Sequence, residues 1–225
     1  MRLALALPGR WFTVPIGSPD ARQRIRELAQ ELHGGADDRA GIRIALRRRI
    51  EAALERAEAG RAEQLHLGIS LEGIPTDGVG HGADVPMPAV ASVYQGVPVS
   101  TAESTAPDAV MAALVPLVLR AAHEPFGGSA IPGDDDRVFR AGASRILRRP
   151  SIRDPGEEGT LPSLAADYWL TVPGERRAVL LHLDVPLLAP TELLLALCDG
   201  IALAARFEPT GSLSDELRNH VRARA

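Results

Sequence analysis

Asp167-Tyr168-Trp169-Leu170-Thr171-Val172-Pro173-Gly174-Glu175-Arg176-Arg177-Ala178-Val179-Leu180-Leu181-His182-Leu183-Asp184-Val185 decides the fold class. Two runs rich in β-branched, aromatic and aliphatic residues flank a Pro-Gly turn, which makes them a hairpin and so an antiparallel pair. Upstream, Arg137 to Arg149 reads as a further strand of mixed character. Downstream, a helix opens at Pro190 and runs to about Phe207. Its leucines, with Cys198 and Ile201, make it apolar nearly all round, the signature of a central core helix or of a helix at a subunit contact.

Further out, Leu65, Leu67, Ile69 and Leu71 alternate with polar or small residues as in a half-buried strand, whose partner is the run Ala89 to Val99. Gly73 to Pro88 between them is expected to be a mobile loop, because its four glycines give the backbone many states. Pro107 and Asp108 open a helix that Pro116 should bend. Ser18-Pro19-Asp20 starts another, ended by Gly34-Gly35, and a longer Arg/Glu-faced helix spans about Asp38 to Gly60. Leu3 to Leu7 and Trp11 to Ile16 form an opening strand interrupted at Pro8-Gly9. This order lacks the regular β-α alternation of a parallel doubly wound sheet. The fold class is therefore α+β: a mainly antiparallel sheet flanked by helices, as a single domain over residues 1–208, with a polar C-terminal tail at 209–225.

With 225 residues, 45% hydrophobic and 24% charged, the chain can bury a sizeable core unaided. A formal charge of −4 and a pI near 5.9 argue against a dedicated nucleic-acid binder. All 25 basic residues counted as Lys+Arg are arginine, a mark of a GC-rich genome that weakens any case for Arg having been selected for bidentate chemistry. Cys198 is the single cysteine, so no intrachain disulfide forms, which suits a reducing compartment. The Leu3 to Leu7 run is cut by Pro8-Gly9-Arg10, too short for an export signal, and Leu187 to Phe207 carries too many polar groups for a membrane span. A cytoplasmic location is expected.

No sequence motif supplies chemistry. The six histidines are scattered, with no HExxH or CxxC, so no metal is expected. Asp134-Asp135-Asp136 fails as a calcium loop, since Phe139 and Arg145 occupy the positions that need Gly and Glu. Gly78, Gly80 and Gly82 precede Pro86 and Pro88 rather than a helix, so no phosphate loop and no cofactor follow. No serine sits in a GxSxG elbow, and Cys198 reads as a small buried thiol.

Two stretches, Arg10-Trp11-Phe12-Thr13-Val14-Pro15 and the set from Pro162-Ser163 through Asp167 to Pro173 and on to Asp199-Gly200-Ile201-Ala202, carry a resemblance. The pattern resembles a group of uncharacterised cytoplasmic actinobacterial proteins and, more distantly, the PsbP-like fold. There a curved antiparallel sheet is flanked by helices, and the last strand feeds a helix ending near an aromatic residue, here Phe207. The resemblance covers the two ends of the chain, and the helix at 38–60 departs from it. It carries over no catalytic residue and implies proteins that mostly bind other proteins.

Arg137 to Arg153 holds six arginines and no acid, with charge on both faces of the strand around Arg145, Arg148 and Arg149. Such a strand is expected at a sheet edge, where charge blocks unwanted pairing or forms a rim for an acidic partner segment. On that view Arg145, Arg148 and Arg149 can be replaced without unfolding the protein. The leading expectation is a non-enzymatic, protein-binding or accessory (chaperone-like) module, with a homodimer as one form. The alternative is an enzyme or small-ligand binder whose site is assembled from His66, Asp167 and His182.

Overall fold

The computed structural model describes residues 1–74, 83–120, 129–130, 137–154 and 162–209. In chain order the elements are β1 (Arg2–Ala4), β2 (Arg10–Val14), α1 (Ala21–His33), a single 3-10 turn (Asp37–Arg39), α2 (Ala40–Ala59), β3 (Ala62–Ile74), β4 (Ala83–Pro86) and β5 (Val90–Pro98). Then come α3 (Pro107–Arg120), β6 (Ser129–Ala130), β7 (Arg137–Ala141), β8 (Ser144–Arg153), β9 (Ser163–Thr171), β10 (Arg177–Pro186), α4 (Thr191–Ala204) and β11 (Arg206–Glu208).

Among the described residues nine strands form one sheet in the order β2-β3-β5-β10-β9-β8-β6, with β4 beside β3 and β7 beside β8, and β1 pairs with β11 apart from it. All the pairings are antiparallel. The β9–β10 hairpin sets Tyr168 opposite Leu181 and Thr171 opposite Ala178, and Gly174 in its turn takes φ 73°, a left-handed conformation that glycine adopts without a Cβ clash. The fold is α+β.

Alternation along the central strands gives the sheet two buried faces. On one, Ala91, Val93, Ile146, Leu164, Ala166, Tyr168, Leu170, Leu181 and Leu183 pack beneath Leu194, Leu195, Cys198, Ile201 and Ala202 of α4. On the other, α1 and α2 cover Leu65, Leu67, Tyr94 and Leu180, while α3 covers Leu147 and Ala178 with Val110, Met111, Leu114 and Val118. Trp169 packs against both of these clusters.

Several expectations need correction. The stretch from Arg137 to Arg153 is not one strand but a hairpin: Gly142, at φ 54°, and Ala143 turn the chain between β7 and β8. β8 therefore lies inside the sheet, paired to β9 along one side and to β7 and β6 along the other. Gly73 to Pro88 is not all loop, because β4 folds back onto β3; residues 75–82 lie outside the described residues. The opening strands part company, β1 joining β11 and β2 joining β3. The last helix stops at Ala204, and Phe207 belongs to a strand opposite Leu3. Residues 210–225, most of the predicted tail, also fall outside the description.

Candidate functional site

Arg148 sits on the α4 face of β8, opposite Tyr168 of β9, and is only 4% exposed. Its Nη1 donates to Asp199 Oδ2 at 2.6 Å, and the Tyr168 hydroxyl donates to Asp199 Oδ1 at 2.7 Å. Both carboxylate oxygens are thus engaged by groups on two strands, across 51 and 31 residues of sequence. Burial, with the nearby thiol and the Asp199 carboxylate, pushes the Tyr168 hydroxyl far above the usual phenol range, so it stays a donor. Burial likewise pushes the Cys198 thiol up to about 12, with Asp199 adding to the shift.

This clamp has a geometric consequence. A helix that is apolar nearly all round carries little information about which side should face the sheet. One carboxylate with fixed partners supplies it, as a single buried polar group sets register in a coiled coil. With Asp199 turned toward Arg148, the side of α4 left outside bears Leu193 (64% exposed), Ala196, Gly200 and Leu203 (49% exposed), with Leu188 (59% exposed) just before the helix.

The opposite face of the sheet carries a polar row. Ser92 of β5, His182 of β10, Asp167 of β9 and Arg149 of β8 stand side by side in register. His182 Nδ1 donates to Asp167 Oδ1 at 2.6 Å, and Arg153 donates to Asp184 Oδ2 at 2.9 Å and, at 3.5 Å, toward His182 Nε2. Arg149 donates to the Val118 carbonyl on α3. The imidazole is thereby used on both nitrogens.

Of the dispersed residues proposed for a site, the structure brings Asp167 and His182 together and leaves His66 apart. His66 follows Leu65 on β3 and so points to the other face of the sheet, where its Nδ1 lies 3.0 Å from Thr13 Oγ1 and its Nε2 3.2 Å from Gln64 Oε1. Burial, reinforced by Arg2, holds its pKa below the ordinary histidine value. The arginine rim also changes character. Arg145 bonds Asp108 at the start of α3, holding that carboxyl below its ordinary range, Arg148 is buried, and Arg149 is half-buried against α3. The expectation of an exposed edge is overturned, because β7 occupies the position that β8 was given.

Asp199 was missed by sequence reasoning, though a lone acid on the inner half of an apolar helix signals a buried partner. Among the described residues no three His, Cys, Asp or Glu side chains gather as ligands for a metal, and no helix is long and apolar enough to cross a membrane. Set against models of known protein families the chain matches none, and it matches no curated protein.

Proposed function

We propose that this chain is a non-enzymatic, protein-binding module of the accessory or chaperone-like kind, and that it pairs with a second copy of itself through the outer face of α4. The observation that carries this reading is the Arg148–Asp199–Tyr168 clamp, which turns an apolar stripe outward. The stripe is laid out so that it can meet itself. In an antiparallel crossing about a two-fold axis, Leu193 faces Leu203 of the partner, Ala196 and Gly200 let the two backbones approach, and Glu192 at one end lies toward Arg206 beyond the other. Exposed apolar patches of this kind mark interaction sites. The distant likeness of both chain ends to a fold whose members mostly bind proteins agrees with it, and the single buried thiol suits a cytoplasmic setting.

Sedimentation of the purified chain tests this. A dimer is expected, converted to monomer by Leu193→Glu and by Leu203→Glu, with the melting temperature nearly unchanged because both side chains are exposed. A monomeric wild type, or a dimer indifferent to both changes, would overturn the pairing.

One observation favours a second reading, a small-ligand or acid–base site on the opposite face. Asp167, His182, Arg153 and Asp184 form a largely buried hydrogen-bonded network around the Arg153–Asp184 ion pair, in a place where apolar residues would cost less to desolvate. Replacing His182 by Asn separates the readings. Under the first, dimerisation and partner capture persist; under the second, ligand binding or turnover is lost in a folded protein.

A further inference from the structure

We infer that the cleft between α1 and α2 is a binding site for a small organic polyanion, with an apolar body carrying phosphate or carboxylate groups. The cleft is open to solvent and has a volume of about 370 Å³, at the small end of the range for small-ligand sites. Its polar lining is Gln23, Arg26 and Gln30 from α1 and Arg43 and Arg47 from α2, three cations and two amides without a carboxylate. Ala29, Ala40 and Ile44 complete it with small or apolar surface. This is a different place from the α4 stripe and from the His182 row: α4 lies across the sheet, and neither Asp167 nor His182 reaches the cleft.

The arrangement of the three guanidinium groups distinguishes the cleft from an ordinary charged surface. Arg43 is positioned before any ligand arrives: its Nη1 donates to the carbonyls of Gly34 at 2.8 Å and Ala36 at 2.7 Å, in the connection between the two helices. Those neutral acceptors hold the group without cancelling its charge. Its Nε and Nη2 donors have no partner among the described residues, so a fixed fork is left to meet an anion. Arg26 is oriented by Gln23 Oε1 at 2.8 Å, and Gln23 by Glu27 at 2.9 Å. Arg47 meets Glu51 only at 3.7 Å, a contact that an incoming phosphate can outbid. Positioned donors reduce the ordering cost of binding.

Length selects the class of ligand. Gln23 to Gln30 and Ala40 to Arg47 each span about two helical turns, roughly 10 Å. That accommodates a compact molecule with two or three anionic groups, whereas an extended acidic peptide would need a groove continuing past both ends.

Calorimetric titration with ATP and with inorganic pyrophosphate tests the assignment. ATP is expected to bind, more weakly as salt rises, with affinity reduced about tenfold or more by Arg47→Gln and by Arg26→Gln. Arg24→Gln, on the same helix but outside the cleft, should bind as the wild type does. Arg43→Gln should weaken binding most, and a thermal melt run beside it shows whether the helix connection still holds; Arg47→Gln and Arg26→Gln keep the test open if it does not. Failure of both probes to bind at millimolar concentration, or equal binding by the Arg26 and Arg47 variants and wild type, would overturn the site. Tighter binding of an octaglutamate peptide than of either small anion would overturn the ligand class. Because sedimentation reads α4 and calorimetry reads this cleft, either result can fail alone.

Discussion

Asp199 accepts from two donors that reach it from different strands, and its replacement by Ala would strip a carboxylate from a guanidinium that is 4% exposed. Breaking a fully buried pair from one side typically costs about 3–5 kcal/mol; with Arg148 buried and the Asp199 side chain 28% exposed, Asp199→Ala should lower the urea midpoint clearly but by less than that. Removing the whole group together, by Arg148→Met, Tyr168→Phe and Asp199→Leu, should recover most of that loss, which the same denaturation curve would show. Cys198 gives a second expectation. Its folded-state pKa of about 12, against 9.0 ordinarily, means that the folded chain keeps a proton the unfolded chain releases as pH rises. Stability from this group is therefore full below pH 9 and falls above it, by about 1.4 kcal/mol per pH unit until the folded value is reached. Iodoacetamide at pH 8 should label Cys198 only when denaturant is added. None of this clamp could be read from neighbouring residues, because Arg148 and Asp199 meet across 51 positions. The sequence showed a strand with charge on both faces, and a buried ion pair looks the same as an exposed rim until the partner is placed.

At the level of elements, the strands whose pattern is local were the legible ones. β9 and β10 are mainly apolar, largely buried runs about a Pro-Gly turn, β3 and β5 pair as their apolar periods require, and Pro116 lies inside α3. The β7–β8 hairpin was not legible, because its turn is the short Gly142-Ala143 between two arginine-bearing runs that read as one. Facing is also a register property: His66 and His182 both lie on strands, and only the pairing of β3, β5 and β10 shows that they point to opposite sides. The crossing of β3 with the segment leading into β5 depends on a missing side chain. A Cβ on Gly68 would lie 2.6 Å from the Met87 carbonyl oxygen and 3.2 Å from Ala89. Gly68→Ala should force these backbones apart and destabilise the protein by about 1–3 kcal/mol, measured by urea unfolding. Gly142→Ala, at a turn with open space around it, should cost less, the strain of its positive φ alone.

Across the whole molecule, two helical layers enclose one antiparallel sheet, and its central seam joins β5 to β10, strands far apart in sequence. Such non-local pairing slows folding, because loop closure precedes the contacts that reward it. The β1–β11 pair is the extreme case. Leu3, 1% exposed in the finished fold, lies opposite Phe207, about two hundred residues later. At a translation rate of about 5–20 residues per second, that partner emerges on the order of 10–40 s after Leu3 does. Ribosome-bound chains halted before residue 206 should therefore leave the first strand open to protease, and chains released past residue 209 should protect it. A strand made long before its partner is among the last to find its place, and for that interval the nascent chain offers it to whatever chaperone or neighbouring chain is at hand.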